Sequence, residues 1–180
     1  MMGDRETFKF TWDLIGDIQN GRPNLGGMVP VEVYRLMQYC FRETIEAEMG
    51  VEKGEKMIYE AGKRAGAGFF SHVLPGTDNF EEFITNIQNS LKDLKIGIFR
   101  VEEADLSSGK LILAVSEDLD CSGLPELGYG VCTYDEGFIA GILEKFTGKK
   151  CLVKEIDCWC TGDRTCRFSV DILPEKSNES

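Results

Sequence analysis

The first half of the chain places its hydrophobic residues at helical spacing. One run begins at Pro30 and ends at Gly50, which suits the preference for proline at a first helical position and for glycine after a last one. A second run covers residues 52–73, and a third begins with a capping-box pattern at Asp78. These three runs predict helices. Ahead of them, residues 8–18 alternate only partly and predict a short strand or an extended arm.

From Ile96 onward the pattern changes from helical spacing to strand-like runs. One further helix is predicted from Thr133, where a second capping box is written. Strands that follow one another through short turns pair antiparallel, and the helices then cover one side of the sheet, which is the α+β class. Four segments predict these strands: residues 96–101, 110–116, 150–160 and 166–173.

Length and charge narrow the class of protein. With 180 residues, 42% of them hydrophobic, the chain can bury one core, so we expect a single domain over residues 1–174 and a loose polar tail at 175–180. A formal net charge of −11 excludes non-specific nucleic-acid binding and disfavours docking on anionic lipid. No uncharged stretch is long enough to span a bilayer, and no signal peptide is visible, so a cytoplasmic location is expected.

The helix predicted at 52–73 is rich in glycine. An interior glycine costs about 1 kcal/mol relative to alanine, so helix propensity alone does not explain this composition. Small side chains let another backbone or a ligand approach closely. Tight helix–helix packing is the favoured interpretation, and a pocket wall is the alternative. The small residues concerned are Gly54, Ala61, Gly62, Ala65, Gly66, Ala67 and Gly68.

Seven cysteines are the strongest chemical signal, because five of them fall within residues 132–166. In a reducing compartment, cysteines serve more often as thiols or metal ligands than as disulfides. Zinc takes four ligands, commonly thiolates, and spacing alone does not choose among the candidates here. The alternative is that they are small buried hydrophobic residues. Cys40 and Cys121 look ordinary, whereas the candidate ligands are Cys132, Cys151, Glu155, Cys158, Cys160 and Cys166.

Several motifs near the end of the chain resemble the 4-vinyl reductase (4VR), or hydrocarbon-binding, domain family. The resemblance is strongest over residues 128–172 and rests on four motifs: Gly130-Val-Cys132, Gly137-Phe-Ile-Ala-Gly141, Glu155-x-x-Cys158 and Gly162-Asp-x-x-Cys166-x-Phe168. That family is similar to the ligand-sensing domains of phenol-responsive activators and, more distantly, to TRAPP subunits and haem-nitric-oxide domains. The resemblance therefore implies a TRAPP-like, NO-signalling ligand-binding fold with a zinc-bound hairpin at its C-terminal end.

The same resemblance implies a structural zinc ion with Cys132, Glu155, Cys158 and Cys166 as its ligands. Cys151 and Cys160 would then be spectators. Because Glu155 and Cys158 would face opposite sides of a regular strand, a bulge or a strand end is implied between them. The histidine and tryptophan that anchor phenol in the sensors have no counterpart, since the single histidine, His72, falls elsewhere.

These features favour a domain that binds or senses a small hydrophobic or aromatic molecule and acts through a separate partner protein. Two alternatives stay open. One is an accessory subunit of a tetrapyrrole vinyl reductase, although no dinucleotide fingerprint or catalytic constellation stands out. The other is a homodimeric assembly scaffold without a ligand, paired through N-terminal helices. The residues predicted to line a ligand pocket are Phe69, Phe70, Phe83, Ile87, Phe99, Leu113 and Phe138.

Overall fold

Helices occupy the first half of the described chain and strands dominate the second, as the hydrophobic pattern predicts. A computed structural model describes residues 7–174, and the predicted tail at 175–180 lies outside them. Among the described residues, the α-helices are α1 (Ile18–Gly21), α2 (Val31–Met49), α3 (Val51–His72), α4 (Phe80–Asp93) and α5 (Thr133–Thr147). The strands are β1 (Ile98–Asp105), β2 (Lys110–Ser116), β3 (Cys151–Asp157) and β4 (Cys166–Ile172), and short 3-10 helices cover Trp12–Ile15 and Trp159–Thr161.

The four strands form one antiparallel sheet in the order β1-β2-β4-β3, which confirms the α+β prediction. β1 and β2 make one hairpin and β3 and β4 another, with α5 in the connection between the hairpins. The register of β3 against β4 shifts between Glu155 and Asp157, and the strand ends before Cys158. The bulge and strand end expected between Glu155 and Cys158 are therefore present.

α5 packs against α3 at backbone contact distance, and glycines on both helices make this possible. A Cβ atom added at Gly62 or Gly66 of α3 would collide with main-chain carbonyl groups of α5. Reciprocally, a Cβ atom at Gly137 or Gly141 of α5 would collide with carbonyl groups of α3. The glycines therefore serve tight helix packing, the favoured interpretation of their composition, and the close contact offsets their helix-propensity penalty.

Two local predictions differ from the structure at helix starts. Asn79, not Asp78, caps α4, because its Oδ1 atom accepts a hydrogen bond from the Glu82 N–H group at 2.9 Å. At the start of α5 no side chain caps the helix. The carboxylate of Glu136, expected in a capping box, instead accepts a hydrogen bond from the Glu155 N–H group at 2.8 Å. It thereby ties α5 to β3.

The N-terminal segment also differs from its prediction. Within residues 8–18, expected as a strand or an arm, the structure has a 3-10 helix and the start of α1. Its side chains find no strand to pair with, and Phe8 and Phe10 stay exposed. The indole of Trp12 instead stacks on the imidazole of His72, with ring centroids 4.5 Å apart. Among residues 7–174, no helix combines the length and apolar character needed to cross a membrane.

Candidate metal centre and ligand cavity

Four buried thiols meet where the two hairpins and α5 come together. Cys121 lies in the loop after β2, Cys132 immediately precedes α5, Cys158 follows β3, and Cys166 begins β4. Their sulfur atoms all lie within 4.8 Å of one another. The cluster thus ties together four separate segments of the chain, which is the arrangement of a closed structural metal site.

The spacing of these sulfur atoms can be compared with a zinc tetrahedron. With Zn–S bonds of about 2.3 Å, two sulfur ligands of a tetrahedral ion lie about 3.8 Å apart. The Sγ atom of Cys132 lies 3.9 Å from that of Cys158 and 3.8 Å from that of Cys166. The sulfur atoms of Cys121 and Cys166 are closer, at 3.0 Å, and would separate by about 0.8 Å around an ion. The donor set and its spacing therefore fit zinc.

The electrostatics of the cluster also favour a cation. Hydrogen bonds to Cys121, Cys158 and Cys166, together with burial, raise the pKa of Cys132. Hydrogen bonds from Cys121, Cys132 and Cys166 lower the pKa of Cys158. One proton therefore leaves the cluster readily and the next leaves reluctantly, because negative charge accumulates in a buried space. A divalent cation supplies the missing positive charge.

The carboxyl group of Glu155, the fourth ligand implied by the family motif, lies at the edge of the cluster. Its Oε2 atom accepts a hydrogen bond from the Cys132 N–H group at 3.4 Å. Its buried Oε1 atom has no hydrogen-bond partner among residues 7–174. Burial raises the pKa of Glu155 to about 8. Three of the four implied ligands are thus brought together as thiols, with Glu155 beside them.

The spectator cysteines are buried outside the four-thiol group. Burial raises the pKa of Cys151 to about 11 and that of Cys160 to about 12. The Cys160 carbonyl accepts hydrogen bonds from the N–H groups of Leu127 and Gly128, at 2.8 Å and 3.0 Å, which anchors the loop ahead of Cys132. Cys121, which looked ordinary in the sequence, is the thiol that sequence reasoning missed.

An apolar cavity lies beside the thiol cluster, between the sheet and the helices α4 and α5. Its volume is about 30 Å³, room for one or two water molecules. Four of the predicted pocket residues line it: Ile87, Phe99, Leu113 and Phe138. The other walls are Leu91, Ile96, Val115, Asp118, Asp135, Ile139, Ile142 and Leu143. The cavity thus uses both faces of the helix–sheet sandwich.

The other three predicted pocket residues pack elsewhere in the core. Phe83 stacks on Phe146 with ring centroids 3.8 Å apart, and Phe70 meets Phe83 edge-on. Phe69 contacts the ring of Phe138 edge-on at 5.2 Å. An aromatic side chain in a helix can serve either role, because the hydrophobic pattern does not distinguish a cavity wall from plain core.

Two aspartates, Asp118 and Asp135, form the polar end of the cavity. The Oδ1 atom of Asp118 accepts hydrogen bonds from the N–H groups of Asp120 and Cys121, at 2.8 Å and 3.0 Å. Burial, with the neighbouring Asp120, raises the pKa of Asp118 to about 7 and raises that of Asp135 well above its usual value. The residues that hold the cluster and the residues that line the cavity therefore share one loop.

Helix α2 fixes that loop from outside. Arg35 donates hydrogen bonds to the carbonyl oxygens of Leu119 and Ser122, at 2.8 Å and 2.9 Å. The Tyr34 hydroxyl and the Gln38 amide donate to the two carboxylate oxygens of Asp120, at 2.7 Å and 2.6 Å. A change in the position of this loop would therefore be felt directly by α2.

Comparisons with known proteins agree with this picture. The family model of the vinyl-4-reductase (4VR) domain matches residues 111–172, a range that contains all four thiols and Glu155. Two proteins of Methanocaldococcus jannaschii, both named only as uncharacterized, are similar over most of their lengths. MJ0150 is 30% identical over 161 residues, 88% of this chain and 86% of that protein. MJ1642 is 28% identical over 156 residues, 87% of this chain and 86% of that protein.

Three solved structures share the fold at low sequence identity. A vinyl-4-reductase family protein from Methanocaldococcus jannaschii has a TM-score of 0.63 and 16% identity, covering 93% of this chain and 100% of that one. The phenol-responsive sensory domain of the transcription activator PoxR, with phenol, has a TM-score of 0.59 and 14% identity, covering 85% and 79%. A trafficking protein particle complex subunit 3 from Naegleria fowleri, covalently bound to palmitic acid, has a TM-score of 0.64 and 14% identity, covering 80% and 95%.

Proposed function

Because this chain belongs to the vinyl-4-reductase (4VR) domain family, we propose that it is a single ligand-binding domain for a small hydrophobic or aromatic molecule. The observation that carries the proposal is the cavity beside the thiol cluster, whose walls are almost entirely apolar. Its volume of about 30 Å³ is too small for an aromatic ring, so binding would require the walls to move apart. The likeness in fold to a domain solved with phenol adds support.

The binding proposal is tested by melting the protein with two small aromatic probes, phenol and toluene. We expect at least one of them to raise the melting temperature, by about 3 °C or more when it is present at ten times its Kd. Ile142→Phe, which fills the cavity wall, abolishes this shift, whereas the same change at the exposed Ile156 does not. If neither probe shifts the wild-type melting temperature, or if Ile142→Phe leaves the shift intact, the cavity is not a ligand site.

The second part of the proposal is a structural zinc ion in the thiol cluster. Cys132, Cys158 and Cys166 are common to both candidate ligand sets. The fourth ligand is either Glu155, as the family motif implies, or Cys121, which the sulfur positions favour because all four sulfur atoms lie within 4.8 Å of one another. Bound zinc would hold the thiols deprotonated and clamp α5 to the second hairpin. Metal analysis of the purified protein tests this directly, and one zinc per chain is expected.

We further propose that α2 passes the binding event to a partner protein. α2 hydrogen-bonds the loop that contributes Asp118 to the cavity, and no residue of α2 is buried. A ligand that displaces this loop would therefore move a helix that is free to meet a partner. All seven cysteines carry free thiols, which favours a reducing compartment such as the cytoplasm.

A homodimeric assembly role is the second candidate, and the outer face of α2 favours it. Apolar side chains recur there at helical spacing and are exposed: Val33 by 53%, Leu36 by 69%, Met37 by 56% and Phe41 by 63%. A contiguous apolar patch of this kind marks an association surface. Sedimentation analysis is expected to find a dimer that Phe41→Glu dissociates, whereas Glu43→Lys, an exposed change on the same helix, does not. A wild-type monomer at all concentrations would exclude this role.

A further inference from the structure

The two ends of the cavity differ in chemistry. Most of its wall comes from aliphatic and aromatic side chains of α4, α5, β1 and β2. The end nearest the thiol cluster is closed by two carboxyl groups, those of Asp118 and Asp135. A purely hydrophobic ligand would leave these acids facing an apolar surface, which is unfavourable for a buried polar group.

The carboxyl groups are not equally occupied. Asp118 is 4% exposed, and its Oδ1 atom already accepts two main-chain hydrogen bonds. Asp135 keeps some solvent contact as a residue, but its Oδ2 atom has none and has no hydrogen-bond partner among residues 7–174. Buried acceptors in folded proteins are almost always satisfied, so this atom calls for a donor from outside the described chain.

The nearest cationic side chain does not supply that donor. The guanidinium of Arg35 is spent on the carbonyl oxygens of the 118–122 loop. The donors of Tyr34 and Gln38 go to Asp120. The polar end of the cavity is thus an acceptor site with its local donors already committed.

We propose that the ligand of this cavity has an apolar body and one hydrogen-bond-donating group, which Asp135 receives at the end of the cavity. The inference rests on the proposed binding function and adds the polarity and orientation of the ligand. The donor enters first and meets Asp135 near the start of α5, and the apolar body lies against Phe99, Leu113 and Phe138. A site that hydrogen-bonds its ligand discriminates strongly against an isostere that lacks the donor.

A second metal ion is the competing occupant. Asp118, Cys132 and Asp135 each offer a ligand atom, and these atoms lie within 4.8 Å of one another. An ion bound there would satisfy Asp135 without any organic ligand. The competing case predicts two metal ions per chain and no preference between probes that differ only in a donor group.

Phenol and toluene test the inference, because they have nearly the same shape and only phenol can donate. Titration calorimetry on the full chain is expected to find that phenol binds wild type at least about tenfold more tightly than toluene. Asp135→Leu removes the acceptor and is expected to abolish this preference. Asp135→Asn keeps the shape and an acceptor oxygen, so it lowers phenol affinity several-fold but leaves toluene binding unchanged. Asp93→Asn, the same change at an exposed position on α4, serves as the matched control.

The outcomes separate the inference from the function on which it rests. Equal binding of phenol and toluene, or a preference that survives in both Asp135 variants, overturns the inference while the ligand-binding function stands. Two metal ions per chain, with the second lost in Asp135→Asn, also overturn it. Binding of neither probe contradicts the binding function itself. If Asp135→Leu fails to fold, the Asp135→Asn comparison with Asp93→Asn still decides.

Discussion

The thiol cluster and the apolar cavity are neighbours, yet they are built in opposite ways. Both are buried, and both use the loop from Asp118 to Cys121 and the first turn of α5. The cluster brings one sulfur atom from each of four chain segments, so every donor is needed. The cavity has many interchangeable apolar walls and one unsatisfied acceptor. The first arrangement suits an ion that stays, and the second suits a molecule that comes and goes.

The largest expected effect is the removal of a thiol common to both ligand sets. Cys166→Ser is expected to lose the zinc and to lower the free energy of unfolding by about 3–5 kcal/mol, because the ion's binding energy is folding energy. Metal analysis and denaturant unfolding measure both quantities. Cys40→Ser, at an exposed thiol outside the cluster, is expected to change neither. A Cys166→Ser protein with full stability and no metal would show that the cluster is not a structural site.

The shared scaffold, the α3–α5 contact, should affect stability while sparing the metal. Gly141→Ala places a Cβ atom against the carbonyl group of Lys63, and overpacking of this kind costs about 1–3 kcal/mol. Zinc content is expected to stay at one per chain. Gly76→Ala is the matched control, because a Cβ atom there meets nothing within 4 Å. Equal melting temperatures for the two variants would contradict the close helix contact.

The fourth ligand sharpens the comparison further. If Cys121 is a ligand, Cys121→Ser lowers zinc affinity by more than about 100-fold, whereas Glu155→Gln, acting from outside the coordination shell, costs about tenfold. Competition with a chromogenic chelator measures both affinities. The reverse order of effects would assign the position to Glu155, as the family motif implies.

How far the sequence could predict the two regions follows from the same contrast. Cys132, Cys158 and Cys166 were identifiable because their spacing belongs to a motif, and the bulge near Glu155 followed from strand geometry. Cys121 carried no such signal. It reaches the cluster only because Val115 of β2 pairs with Cys166 of β4, so the chain leaving β2 passes beside that thiol.

The cavity was less predictable for a physical reason. Hydrophobic spacing finds residues that face the core, and Ile87, Phe99, Leu113 and Phe138 do line the cavity. Spacing does not tell a cavity wall from a packed ring such as Phe83, which stacks on another aromatic side chain. The acids at the cavity's polar end had local explanations in the sequence, in an acidic loop and a helix start, and their convergence depends on tertiary structure.

The smallest expected effect is a pH dependence at the boundary between the two regions. The pKa of Asp118, about 7 in the folded protein against 3.8 for an ordinary aspartate, means that the folded state binds more protons than the unfolded state between these values. The contribution of Asp118 is therefore fully present below about pH 4 and is lost as the pH rises through about 7. Asp118→Asn is expected to make the fall in stability across this window shallower by about 1 kcal/mol. Unfolding curves at several pH values for both proteins measure the difference, and parallel profiles would show that Asp118 does not titrate in this range.

The most direct test of the contrast is a crystal structure of the protein grown with phenol, with anomalous data collected at the zinc absorption edge. The account predicts one anomalous peak among the sulfur atoms of Cys132, Cys158 and Cys166, and phenol between the sheet and the helices α4 and α5 with its hydroxyl at Asp135. Absence of the zinc peak, or phenol bound only outside the cavity, would contradict the division into a permanent ion site and an exchangeable ligand site.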